Sequence, residues 1–513
     1  MQWKRWRTGI LFCIVFFTAW TAGCRPASSS LSVPTAPHEG VELRVACPTE
    51  ATAALMRNYG QPRALRQGVK LDIFRGVAGK EGGPLGMPSA DIWIIAPADL
   101  PRWAAAGQLA AVPDRYAAHN NPYVWSHLLP TYRDQLILWD DTPYGLPLMG
   151  ESPLCCYRSD LLKSPAHQDA LRKLLGRDPD APATWEQFAR LAEYFREHGP
   201  DVHPAPSLPP LPRGDDDLDR LFYTVAAGFA RRAVPSDEDE PRDEAGRARY
   251  RNDVFSFHYD RNTGRPRIAA PGFVHALKLL QRLQACRPAE PADRPEEAFG
   301  DGQAVLCLAD APWVKTFQAT PALRDKIGIG RVPGGERYFD FETGKASPKP
   351  EGNRVPYLGG AGWLAVVPRT SMRADAAFDL LAELSDPDTS NQVFLSAGGA
   401  GGPLRSRQLP VYRRRWDSFD LDETRTSQLK EAIQDTLLHL GMKNPALCLR
   451  TPRQAAHRAV LVKEVRAALL QRTDAEKALQ RVAEAWEKLD REQGMEAHKA
   501  DYRRSLGLLA RDR

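Results

Sequence analysis

The chain has 513 residues, 43% of them hydrophobic and 26% charged, with a formal net charge of +5. That length and apolar content are enough to bury the cores of two or more domains, and they exclude a wholly disordered chain. Acidic and basic residues are mixed throughout, so there is no basic stripe that would suit nucleic acid.

The first 23 residues, "MQWKRWRTGILFCIVFFTAWTAG", place Lys4, Arg5 and Arg7 ahead of an apolar run and small residues. This is the layout of a secretory signal peptide, and the run falls short of the roughly 20 apolar residues of a bilayer span. The stretch ends at Cys24 in "TAGC", which resembles a bacterial lipoprotein lipobox, although Thr21 stands where leucine is usual. The resemblance implies that Cys24 is lipidated and becomes the mature N-terminus. The Ser- and Pro-rich residues 24–40 read as a tether. With Lys4, Arg5 and Arg7 removed, the formal charge of +5 falls to +2.

Beyond the tether, "VELRVACP", "GVKLDIF" and "ADIWIIAP" read as buried strands with helical stretches between and after them, the spacing of a parallel α/β sheet. "LWDDTPYG" places Asp140 and Asp141 in a hairpin turn rather than an acid/base couple. The next segment, "MGESPLCCYRSDLL", puts Cys155 and Cys156 side by side in an extended run, where alternation sends their side chains to opposite faces. "TWEQFARLAEYFREHG" is a helix with Thr184 and Gln187 in capping-box spacing and Gly199 as its stop. Between it and the helical "GFVHALKLLQRL" lie "SLPPLPRGDDDLD" and "SDEDEPRDEAGRARYRND", which read as exposed insertions. "QAVLCLADAPWV", "KIGIGRVPGG" and "GGAGWLAVVP" read as strands and "ADAAFDLLAELSD" as a helix. Two helical patterns follow from about residue 451, the second with Thr473 and Glu476 in capping-box register and Trp486 on its apolar face. Six cysteines remain beyond residue 24, without C-x-x-C or zinc-like spacing, and free buried thiols are the default reading.

Motifs for a metalloprotease, a serine hydrolase, a P-loop and a dinucleotide fold are all absent from the sequence. Neither a catalytic residue, a metal nor a cofactor is therefore expected. The order of segments is more telling. "YGLPLMGES", "TWEQF", "GQAVLCLADAPW", the Gly-rich "YLGGAGWLAVVP" and "GPLRS" follow one another as in the family 1 extracellular solute-binding proteins of ABC importers, and the chain resembles that family over about residues 41–489. The resemblance implies an α/β fold of two lobes with a ligand cleft between them, the type II periplasmic binding protein architecture. Both lobes would be discontinuous: 41–150 with 357–410, and 151–356 with 411–495, followed by a tail at 496–513.

Carried over by position, the resemblance points to Glu151 and Ser152 at the cleft side of the crossover strand. It adds Trp313, which either stacks on ligand or belongs to a lobe core, and Gly360 and Trp363 at the return crossing. Thr49 and Glu50 fall in the first-loop contact position. Asp91 and Trp93 lie on a cleft-facing strand or are buried, and Arg405 either binds ligand or ties down its turn. The implied function is a lipid-anchored extracytoplasmic receptor, not an enzyme, that captures a carbohydrate or related polar solute and delivers it to the ABC transporter permease. An extracytoplasmic sensor or scaffold of the same fold is the alternative.

Overall fold

The computed structural model describes residues 36–76, 89–117, 123, 125–199, 205–235, 237–396, 401–409, 417–437 and 444–508. The signal peptide, Cys24 and most of the tether lie outside them. The first apolar runs form β1 (Val41–Cys47), β2 (Val69–Arg75) and β3 (Ile92–Ile95), with Leu43, Val45 and Ile92 wholly buried. β1 pairs in parallel with β2 over its full length, Val41 opposite Val69 and Cys47 opposite Arg75, and with β3 on its other side. The hairpin of β4 (Leu138–Trp139) and β5 (Thr142–Pro143) turns through Asp140 and Asp141, both at positive φ, as a two-residue primed turn requires.

β6 (Gly145–Met149) closes this sheet, yet it does not pair with β3 directly. The strand between them arrives from far along the chain, after β7 (Pro153–Arg158), β8 (Leu306–Asp310), β9 (Ile327–Gly330), β10 (Gly335–Phe339), β11 (Ala346–Asn353) and β12 (Tyr357–Leu358). It is β13 (Trp363–Val366), antiparallel to both neighbours, and the order is β2-β1-β3-β13-β6. A second sheet, β8-β7-β9, is antiparallel throughout and has the helices Glu296–Gly300, Ala311–Ala319 and Glu423–Leu437 packed against it.

Two buried clusters match the two sheets. One gathers side chains from Leu43 to Met149 and from Leu364 to Val393. The other gathers Leu154 to Leu358 and Phe394 to Tyr502, and draws in Leu129, Tyr132 and Leu136 from the first segment. The result is the two-lobed α/β architecture.

Three local expectations are corrected. The stretch beginning "SLPPLP" is not exposed: Leu208 and Leu211 are buried, the Ser207 and Leu208 amides donate to the Cys286 carbonyl, and the Ser207 carbonyl accepts from Val305 and Leu306. Its prolines leave few amides needing partners, so an extended run can be buried at low cost. The acidic stretch after it is exposed over most of its length, as expected, and carries the helix Glu244–Phe255, capped by Asp243. The helix Ala475–Gln493 is capped by Asp474 instead of Thr473, the carboxylate accepting from the Glu476 and Lys477 amides. The expected C-terminal tail is a helix, Met495–Ser505, with His498 and Tyr502 buried in the second core. Trp486 is fully buried, with its indole N–H donating to the His457 carbonyl.

Cys155 and Cys156 sit in β7 with 0% exposure, Cys156 directly opposite Cys307 of β8, and all three thiols are free. Burial pushes the Cys156 thiol up to about 12 and raises the other two well above their ordinary value. The thiolate is the reactive form. Iodoacetamide should therefore leave these three residues unlabelled in the native protein and alkylate them after denaturation. Prompt native labelling, located by peptide mass spectrometry, would contradict the packing.

Candidate functional site

The chain crosses between lobes at Gly150–Ser152, where β6 of the first sheet becomes β7 of the second, and returns through Gly359–Gly362 into β13. Residues 401–403 pass the same point. The three segments touch backbone to backbone. The Gly150 amide donates to the Gly402 carbonyl at 3.2 Å. A Cβ on Gly150 would stand 2.4 Å from the Pro403 oxygen, and one on Gly402 would stand 2.2 Å from the Glu151 carbonyl carbon. Gly362, at φ +89°, would meet the Met149 oxygen at 2.6 Å. Only glycine fits such an approach.

Around this crossing the polar side chains form one network. Glu151 is 1% exposed, and its carboxylate accepts from the Gly359 amide. The Ser152 amide donates to Asp310 Oδ1 at 2.7 Å, while its hydroxyl donates to the Gly401 carbonyl and accepts from the Ala311 amide. Arg220, from the helix Asp215–Ala230, forks onto Asp310 with both nitrogens, at 2.8 and 2.9 Å. Arg220 Nη2 lies 3.7 Å from Glu151 Oε2. This is the planar bidentate pairing for which a guanidinium is pre-organised.

Burial pushes the Glu151 carboxyl up to about 7, opposed by Arg220 and by the Gly359 amide and reinforced by Asp310. The folded protein thus holds this proton more tightly than the unfolded chain, so its stabilising contribution is complete below pH 4.5 and is lost as pH rises through about 7. Glu151→Gln keeps an acceptor for Gly359 and abolishes the titration. Between those two pH values the unfolding free energy of the wild type should fall by about 3 kcal/mol more than that of the variant. Urea unfolding of both proteins across this range checks the difference; parallel curves would refute it.

The other expected residues divide into two groups. Gly360 and Trp363 join Glu151 and Ser152 at the crossing: a Cβ on Gly360 would lie 3.2 Å from Arg220 Cγ, and Trp363 is half-buried opposite Met149. Trp313 follows Asp310 on the helix Ala311–Ala319, where its ring stacks on Phe317 and lies under the Arg294 guanidinium at 4.8 Å. The remainder have partners within the first lobe or its turns. Thr49 caps the helix Glu50–Leu55, and exposed Glu50 pairs with Arg57 and Arg75. Asp91 accepts from the Arg44 amide and the Ser371 hydroxyl, and Trp93 packs on Trp103. Arg405 is fully buried, donates to the Ser385 carbonyl and lies over the Tyr123 ring, so it ties its turn down.

Sequence reading missed Arg220 and Asp310, and with them Asp217 and Glu296, whose carboxyls act electrostatically on both. It also missed a polar contact from the first lobe to the second. Asp99 accepts from Gln454 at 2.5 Å, and Arg458, one turn along the same helix, pairs with Asp216. The one available signal was the charge of Asp219 and Arg220 inside a helix whose neighbours Leu218, Phe222 and Tyr223 are apolar.

Two α/β lobes crossed by the chain at a glycine-packed, polar seam define the class of two-lobed binding proteins. Solved structures of that class share the fold. The maltose-bound MalE3 of T. maritima is 17% identical, with a TM-score of 0.60 over 88% of this chain and 100% of that one. A solute-binding protein of an ABC transporter from Agrobacterium radiobacter K84, in complex with ribitol, is 14% identical, with a TM-score of 0.61 over 88% and 100%. Another from Agrobacterium vitis S4, with bound D-mannitol, is 15% identical, with a TM-score of 0.59 over 88% and 99%. No curated protein matches the chain. The family model described as bacterial extracellular solute-binding protein matches residues 84–410, more than half of the sequence, and the chain belongs to that family. Among the described residues no helix is long and apolar enough to cross a membrane.

Proposed function

We propose that this protein is an extracytoplasmic receptor, lipid-anchored at Cys24, that captures a carbohydrate or related polar solute between its lobes and delivers it to the permease of an ABC importer. The observation that carries the reading is the buried Glu151–Arg220–Asp310 network at the seam where the chain passes between lobes. A solute touching both walls there favours the closed arrangement, because only closure completes its contacts, and a transporter can read that state. Glu151, Ser152, Gly360 and Trp363 are the residues assigned to solute contact, with Trp313 beside them. The family membership, and the maltose, ribitol and D-mannitol bound by the structural neighbours, support the solute class.

The test is a thermal-shift screen of the mature chain with maltose, ribitol, D-mannitol and a wider set of polar metabolites, read together with tryptophan fluorescence. A ligand that binds the folded state raises the melting temperature with concentration, by about 2.7 kcal/mol of stabilisation at a hundred times its Kd. A flat response across the panel, with fluorescence unchanged, would count against the reading.

A further inference from the structure

We propose that the turn Pro97–Asp99 of the first lobe is a latch that closes onto the second lobe and holds the two together before any solute arrives. The turn stands between β3 and the helix Leu100–Ala105, both of which belong to the first buried cluster through Ile92, Ile95, Leu100 and Trp103. Its own contacts reach the other way. Ala98 packs against the second cluster, and Asp99 Oδ1 accepts from Gln454 Nε2 at 2.5 Å. Gln454 opens the helix Gln454–Leu469, which the second cluster anchors through Leu461, Val462 and Val465.

The chemistry suits a contact that holds and can still release. A carboxylate acceptor makes the bond stronger than a neutral one, and the N-terminal end of a helix favours a negative charge. Gln454 is 3% exposed, so its amide depends on protein groups for partners. Burial raises the Asp99 carboxyl, opposed chiefly by the Arg458 guanidinium one turn along the same helix. Arg458 is itself paired with Asp216, which stands four residues before Arg220 and so shares its face of the helix Asp215–Ala230. One helix face thus carries both the Arg220 fork at the seam and the ion pair beside the latch.

The crossing has no such freedom, because backbone there meets backbone. Asp99 is only half-buried, and among the described residues its carboxylate receives one hydrogen bond, that from Gln454. Opening the latch therefore gives up one bond and a small apolar contact and returns the carboxylate to water. A hydrogen bond to a charged group changes the ratio of closed to open molecules about tenfold or more. Solute can enter only while the lobes are apart, so the latch governs how readily it enters, and the seam what it meets there.

Small-angle X-ray scattering of the mature chain without solute tests the inference. Gln454→Ala and Asp99→Ala each remove one partner of the bond, from opposite lobes, and Gln480→Ala at an exposed helix position is the control. Wild type and control should share one compact radius of gyration. Both latch variants should give a larger radius with unchanged far-ultraviolet circular dichroism, since each lobe keeps its core. An identical radius in all four chains would overturn the inference, and so would expansion of only one latch variant, because the latch needs both partners. No solute enters the experiment, so its outcome is separate from that of the solute screen.

Discussion

Replacing Arg220 with alanine should destabilise the protein by about 3–5 kcal/mol, the usual cost of removing one partner from a buried ion pair. The guanidinium is 20% exposed at its side chain and Asp310 is 9% exposed, so solvent cannot replace it fully. Without it, Asp310 keeps the Ser152 amide as a donor and Glu151 keeps Gly359, but the cation that makes two ionised carboxylates tolerable at one seam is gone. Glu151 then holds its proton to higher pH, because Arg220 is the cation that opposes its burial. The loss should accordingly be smaller in acid, where protonation relieves the repulsion, and largest above the wild-type Glu151 value of about 7. Arg282 makes a useful contrast, since it reaches Glu186 and Glu193 on the surface with 38% of its own side chain exposed. Arg282→Ala should cost no more than about 1 kcal/mol. Urea unfolding of the two variants gives the comparison. If Arg220→Ala proved no more harmful than Arg282→Ala above neutral pH, the seam network would not be the buried electrostatic unit described here.

The same pair shows where sequence reading stops. Arg220 and Asp310 are 90 positions apart, and although the apolar neighbours in "DDDLDRLF" mark a helix face that packs, nothing local to them names the carboxylate that its guanidinium meets. Elements whose cause lies within a few residues were legible. Strands β1 to β3 follow from apolar runs, the Asp140–Asp141 turn from its residue types, and the Thr184 cap from its spacing. Even there, competition between neighbours decides details. Gln187 turns its side chain to the Ala183 amide instead of closing the capping box, and Asp474 displaces Thr473 because its carboxylate reaches two amides.

The two-lobed architecture was legible through the order of motifs, not through any one of them. Burial was harder to judge. "SLPPLP" looks like a loop by composition, but what buries it is its contact with Cys286, Val305 and Leu306, residues supplied by a distant part of the chain. Arg405 posed the opposite problem, because a basic residue in a turn near a cleft fits a ligand contact as well as a brace. Only the Ser385 carbonyl and the Tyr123 ring separate the two.

The crossing itself supplies the second large effect. Gly402→Ala should lower stability by about 3 kcal/mol, at the upper end of ordinary overpacking, because the added methyl meets backbone instead of a movable side chain. Its Cβ would fall within 2.2–2.7 Å of the carbonyl carbon, oxygen and Cα of Glu151, so either the 401–403 segment or the Gly150–Ser152 segment must move. For domains of this size that corresponds to a fall in melting temperature of roughly 6–12 °C. Movement of Glu151 also shifts the acceptor for Gly359 and the carboxylate beside Arg220, so a solute that shifts the wild-type melting temperature should shift that of the variant less. Gly176→Ala separates this clash from the general cost of losing a glycine. Gly176 ends the helix Pro165–Leu175 at φ +70° with no atom within 4 Å of a new Cβ, so its replacement should cost only about 1 kcal/mol of backbone strain and leave the solute response intact. Equal losses in the two variants would mean that the crossing tolerates a methyl group, and the three segments could not then be the close-packed seam that holds Glu151 in place.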